Sequence, residues 1–150
     1  MDIKSGNGYP ASALSNFAPY RFVVDGVECN SMEGFLQSLK FSGVDMQRHI
    51  CTLVGKQAKS KGAKKNWKTN QTLYWKGCPI HRDSEAYQNL LDEAYAALAE
   101  NTKFQKALLA TGKATLQHSI GRKKTCDTVL TVREFCGRLT EIRDHLQGKS

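Results

Sequence analysis

The chain has 150 residues, enough for one domain (residues 1–150) that buries about 68–70% of its unfolded surface without metals or cross-links. A composition of 40% hydrophobic and 24% charged residues, with three prolines, excludes a disordered chain, a collagen and a coiled coil. Twenty-two Lys and Arg stand against 14 Asp and Glu, a formal +8, so the surface attracts anions such as nucleotide phosphates, nucleic acid or acidic lipid.

Five cysteines (Cys29, Cys51, Cys78, Cys126 and Cys136) form no C-x-x-C pair and read as reduced thiols of a cytosolic protein. Cys78 and His81 come nearest to metal-ligand spacing, but no second pair follows, so no metal is expected. The first residues, MDIKSGNGYP, lack the apolar core of a signal peptide, and no run approaches 18 apolar residues. The expectation is a soluble, cytoplasmic protein with no membrane partner; the oligomeric state is left open.

In chain order, YRFVVDGVEC (20–29) places β-formers on both sides of Asp25-Gly26, the strongest short hairpin signal. Met32, Phe35, Leu36 and Leu39 repeat at helical spacing and predict a helix over about 31–41. A second helix is predicted over 44–54, ending at Gly55. Residues 56–68, KQAKSKGAKKNWK, are the most basic stretch, and 69–82 hold turn signals with no clear period. Tyr87, Leu90, Leu91, Ala94 and Leu98 mark the longest helix, about 84–100, with Asp83 as its N-cap. A helix over 102–111 ends at Gly112, and ATLQHSI (114–120) reads as a strand. Thr131 and Glu134 form a capping box opening a last helix through Leu146, with Val132, Phe135, Cys136, Leu139 and Leu146 turned inward. The sum is α+β: a mostly helical single domain with a small antiparallel sheet.

Several residues carry candidate chemistry. Glu33 has two readings. With Asn30 as N-cap it occupies the N3 position of a capping-box variant. On the helix it also shares a face with Gln37 and Lys40, apart from the apolar stripe, and a carboxylate at a helix N-terminus favours its ionised form. That form suits a general base or a cation stabiliser. The lysine run, including Lys64 and Lys65, is either a solvated face or a phosphate holder. Trp67, Tyr74 and Trp75 nearby favour the second, since cations beside aromatics suit a stacked base with its phosphates. The four histidines show no partner at catalytic spacing.

Three stretches together resemble the NADAR family, which is similar to the riboflavin-associated N-glycosidases. They are LSNFAPYRFVVDGVECNSMEGFLQSLKF (14–41), AKSKGAKKNW (58–67) and FQKALLATGKATLQH (104–118), and the resemblance spans about residues 8–120. It implies hydrolysis of N-glycosidic bonds on ribose phosphates, in phosphorylated riboflavin-pathway intermediates or in ADP-ribose attached to guanine, with neither metal nor cofactor. It makes Glu33, in S-x-E, the catalytic glutamate, and Asn16 and Phe17, in S-N-F, ligand-lining residues. The family's N-D-x-Y-W-G stretch is missing. Residues 119–129 read SIGRKKTCDTV, where Asp127 is a loose stand-in for the acidic residue. The family's tryptophan precedes the long helix directly; Trp67 matches it by local sequence and Trp75 by position. The implied partner is a phosphorylated ribosyl small molecule or ADP-ribosylated nucleic acid. The rival expectations are a nucleic-acid-binding module using Lys56–Lys68 and a non-catalytic ADP-ribose reader.

Overall fold

A computed structural model describes residues 1–148. Two hairpins and six helices make up the described residues: β1 (Phe22–Val24), β2 (Val27–Cys29), α1 (Met32–Ser38), α2 (Val44–Cys51), α3 (Gly55–Ala63), β3 (Thr72–Trp75), β4 (Cys78–His81), α4 (Glu85–Leu98), α5 (Thr102–Leu109) and α6 (Val132–Leu146). The α+β expectation holds, with two separate two-stranded antiparallel sheets in place of one. No helix among the described residues is long and apolar enough to cross a membrane.

The first hairpin closes as its sequence predicts. Phe22 pairs with Cys29 and Val24 with Val27, and Asp25 and Gly26 both take the positive φ of the tight hairpin turn. The second hairpin lies in the stretch that showed no period. Its turn is Lys76-Gly77, again with both φ positive, and only Leu73 and Trp75 alternate inward, while β4 is almost wholly exposed. A strand that buries nothing leaves no alternation to read.

Helix α1 lies at the centre of the fold, with six of its seven residues buried. Phe35 meets both Phe22 of the first hairpin and Trp75 of the second at edge-on angles, with centroids 6.4 and 5.3 Å apart. Trp75 also donates from Nε1 to Asp25 Oδ2 at 2.9 Å, tying the two hairpins together. Gln47 of α2 fills the gap beside them, donating to the Ser38 and Tyr74 carbonyls and accepting from the Lys76 N–H. The amphipathic stripe of α4 packs as predicted, with Tyr87, Leu90, Leu91, Ala94 and Leu98 all buried.

Four local expectations are corrected. The N-cap of α4 is Ser84, not Asp83; its hydroxyl accepts from the Tyr87 N–H. Residues 114–120 form no strand and contribute a single parallel bridge, Gln117 with Asp2. The basic stretch contains a helix, α3, with Ala58 and Gly62 as its buried residues. Helix α2 stops at Cys51, three residues before its predicted end at 54. The capping box at Thr131 and Glu134 is present as read.

Glu134 has a second task. Its carboxylate pairs with Arg82, whose side chain is completely buried, and accepts from Gln88. Burial by itself would raise the Glu134 carboxyl, but Arg82, Gln88 and the Thr131 N–H hold it below its ordinary value. Breaking a buried pair by removing one partner costs about 3–5 kcal/mol, so Arg82→Met should lose that much in urea unfolding at neutral pH. Because the folded Glu134 value is depressed, the pair's contribution is present above the ordinary carboxylate range and fades as pH falls through the folded value. The gap between wild type and Arg82→Met should narrow in acid.

Candidate active site

The start of α1 is set by close backbone approach. Ser31, not Asn30, is the N-cap: its Oγ accepts from the Gly34 N–H at 3.0 Å and donates to the Leu53 carbonyl at 2.9 Å. Gly34 presses against the end of α2, where a Cβ would stand 2.5 Å from the Leu53 carbonyl oxygen and 2.9 Å from that of Ile50. Only glycine fits. On the opposite side of the turn the Glu33 N–H donates to the Asn16 carbonyl at 2.9 Å, and the Asn16 side chain accepts from Tyr95 at 3.0 Å.

The Glu33 carboxylate therefore caps nothing. It faces a cleft of about 410 Å³ whose walls include Asn16, Phe17, Gln37, Lys59, His118 and Arg122. Gln37, one turn on, donates from Nε2 to Glu33 Oε2 at 2.6 Å. Gln37 is itself held against Gly62 of α3, where any side chain would collide with its amide. That close approach accounts for the glycine in AKSKG. Burial raises the Glu33 carboxyl above the ordinary glutamate value, against the opposing pull of Gln37, Lys59, Lys40 and His118. Desolvation thus overrides the helix N-terminus, which by itself favours the ionised form.

A second cleft of about 420 Å³ adjoins the first and shares Gln37, Lys59, Arg122, Thr128 and Val129 with it. Lys40, Lys65 and Lys68 add to its positive charge, and Asp127 and Trp67 also line it. Burial lowers the Lys40 ammonium below its ordinary value; Glu33 opposes the shift and Lys68 adds to it. Lys65 also rests over the Phe41 ring at 5.0 Å.

Both clefts are closed on one side by residues 120–130, most of which lie in the stretch (119–129) that departs from the NADAR pattern. This segment is tied from below. Arg82 donates to the Thr128 carbonyl at 2.8 Å, Tyr87 to that of Val129 at 2.6 Å and Gln71 to that of Cys126 at 3.0 Å.

Of the residues singled out from sequence, Glu33, Asn16, Phe17 and Gln37 come together in the first cleft, and Gln37, Lys40, Lys65, Trp67 and Asp127 in the second. Asp127 lies across the shared wall from the Glu33 cleft. Lys64 is exposed and lines neither cleft. Trp75 packs between Phe35 and Asp25 and lines neither cleft. Trp67 is only 5% exposed, which leaves little ring face for stacking. Lys59, Lys68, His118 and Arg122 also line the clefts, although the sequence singled out none of them individually. Lys59 and Lys68 were hidden in an undifferentiated basic run, and His118 and Arg122 sit in irregular chain where periodicity is silent.

The fold and the matching family model define a small α+β protein of NADAR-like type. The chain belongs to the family described as bacteriophage protein GP30.3, whose model matches residues 8–144. An uncharacterized 17.1 kDa protein from the Gp30-rIII intergenic region of Enterobacteria phage T4 is 40% identical over 149 residues, covering 97% of this chain and 98% of the phage protein. The NMR structure of the Escherichia coli protein YbiA shares the fold with a TM-score of 0.62 at 19% identity, covering 98% of this chain and 84% of that one.

The raised Glu33 carboxyl has a stability consequence. A group with a raised folded value contributes stability below its ordinary range and loses it as pH rises through the folded value. Ionised Glu33 is therefore a burden on the fold at pH 8. Glu33→Gln should melt at the same temperature as wild type or higher there, with the gap closing toward acid. A melting temperature that drops at pH 8 would restore Glu33 to a capping role.

Proposed function

We propose that the protein hydrolyses the N-glycosidic bond of a phosphorylated ribosyl substrate, such as ADP-ribose attached to guanine of nucleic acid or a ribosylated riboflavin-pathway intermediate. The observation that carries this reading is the juxtaposition of one desolvated carboxylate, Glu33, with an adjoining cleft of five cations: Lys40, Lys59, Lys65, Lys68 and Arg122.

Breaking a ribosyl C–N bond builds positive charge on the sugar and negative charge on the departing nitrogen. A carboxylate poorly solvated by water stabilises such a cation far more than an exposed one does. Glu33 in its ionised form fills that role, oriented by the Gln37 amide. The cationic cleft takes the phosphates at a distance from the reacting carbon. Phe17, half-buried in the first cleft, is the aromatic side chain there with face to offer a base.

The direct test is to incubate the protein with ADP-ribosylated guanosine in DNA and RNA, ADP-ribose, NAD and riboflavin-pathway ribosylamines, and to follow released base or sugar phosphate by mass spectrometry. Release from none of them sinks the proposal. A second reading, a nucleic-acid-binding module, draws on Lys56, Lys61 and Lys64, which are exposed outside both clefts. It predicts steep salt dependence of binding and indifference to Glu33.

On a hydrolysed substrate, Glu33→Gln should lower kcat by about 10²–10⁴-fold while affinity survives, the range for a positioned acid–base group. Wild-type kcat should decline on the acid side at a pH above the usual carboxylate range, because the ionised form is the active one. Replacing Lys65 and Lys68 with Ala should raise KM with kcat less affected, since remote phosphate binding is uniform along the reaction. Lys64→Ala, outside the clefts, is the internal control and should leave KM unchanged.

A further inference from the structure

His118 lines the cleft that holds Glu33, and the reading above leaves it without a task. Its ring is fixed on three sides. Nδ1 lies 2.7 Å from the Ile3 carbonyl oxygen, and the ring meets Phe135 edge-on at 5.3 Å and 80°. Gly121 closes the third side, where a Cβ would stand 2.6 Å from His118 Cδ2. A carbonyl only accepts, so the hydrogen is on Nδ1, and the lone pair of the neutral ring is on Nε2. Among the described residues the ring's one hydrogen bond is the one at Nδ1.

The chemistry leaves an opening for such a group. Glu33 must be ionised to stabilise a sugar cation, so it cannot also deliver the proton that the departing nitrogen needs. Asp127 faces the adjoining cleft instead. The charged groups around the imidazole are Glu33 on α1, Lys59 on α3, Lys4 near the N-terminus and Arg122 in the following loop, with Asp2 bonded to the next residue, Ser119. Of the potential donors here, imidazole is the side chain that can hold a proton on one ring nitrogen and pass it on while the other nitrogen stays hydrogen-bonded.

We propose that His118 Nε2 is the proton donor and acceptor of this cleft, acting on the substrate beside Glu33; the proposal rests on the N-glycosidase reading. The C1′–N bond breaks with its electron pair leaving on nitrogen, and the imidazolium passes its Nε2 proton to that nitrogen. Ionised Glu33 faces the cationic sugar carbon. Water adds through its oxygen to C1′ and returns one proton to Nε2. The imidazolium is regenerated, and the net change is one water added across the bond.

His118→Asn separates anchoring from chemistry, because the Asn amide can still donate to the Ile3 carbonyl from the Nδ1 position but places nothing at Nε2. On the substrate that wild type hydrolyses, kcat should fall by about 10²–10⁴-fold with KM within about 3-fold, and one limb of the pH–rate profile should vanish. Added imidazole should restore part of the rate to His118→Gly. Long-range proton–nitrogen NMR on the wild-type protein should show the Nδ1–H tautomer. An Nε2–H tautomer overturns the proposal whatever the activity, and so does a His118→Asn kcat equal to wild type. If wild type itself releases no base from any substrate offered, the glycosidase reading falls and the donor role falls with it. A wild type that turns over alongside an indifferent His118→Asn condemns His118 alone.

Discussion

The rest of the site depends on one backbone approach. The first turn of α1 is pushed so far onto the end of α2 that Gly34 touches the carbonyls of Ile50 and Leu53, and Ser31 bridges the two helices with its hydroxyl. With residues 31 and 34 committed to that contact, residue 33 lies about 100° round the helix from residue 34, clear of α2. It faces the cleft. The Asn16 carbonyl receives the Glu33 N–H there, so the loop that lines the cleft and the helix that carries the carboxylate are held in one frame.

That geometry places a carboxylate where water solvates it poorly, and the fold accepts the burden. Gln37 and the nearby cations offset the desolvation only in part, because the carboxyl stays above its ordinary value. A structural glutamate gains nothing from such a position, whereas a group that must meet a developing positive charge gains strength from the low dielectric. On the proposed reading, the stability given up at Glu33 is the usual cost of a catalytic group held in its scaffold.

The cleft's outer wall is built differently. Residues 119–130 carry no helix beyond one short 3₁₀ turn, so their shape comes from the bonds that reach up to their carbonyls. Arg82 and Tyr87, both fully buried and stacked at 4.7 Å, supply two of these bonds to adjacent residues, Thr128 and Val129. Glu134 neutralises Arg82 from the start of α6. A buried ion pair is a poor source of net stability, but it fixes orientation firmly, and here it sets the wall against which both clefts open.

The elements with strong local signals were legible. Asp25-Gly26 requires a tight turn, the stripes of α1 and α4 have nowhere to go but inward, and Thr131 with Glu134 satisfies a helix start from its own side chains. The helical spacing around Glu33 also placed Gln37 beside it, one turn on. Three things were out of reach of local sequence. Ser31 outcompetes Asn30 as the cap because its hydroxyl also reaches the Leu53 carbonyl, a contact 22 residues away. Trp75 is buried in the core because the second hairpin folds it onto Phe35 and Asp25. His118 joins Glu33 from 85 positions along the chain only because the Ile3 carbonyl and Phe135 fix its ring there. Sequence by itself determined which residues turn, cap and face inward, since those depend on neighbours within a few positions. Which titratable groups share a cleft, and how far burial shifts them, was decided by contacts between distant segments, and only the tertiary structure contains those.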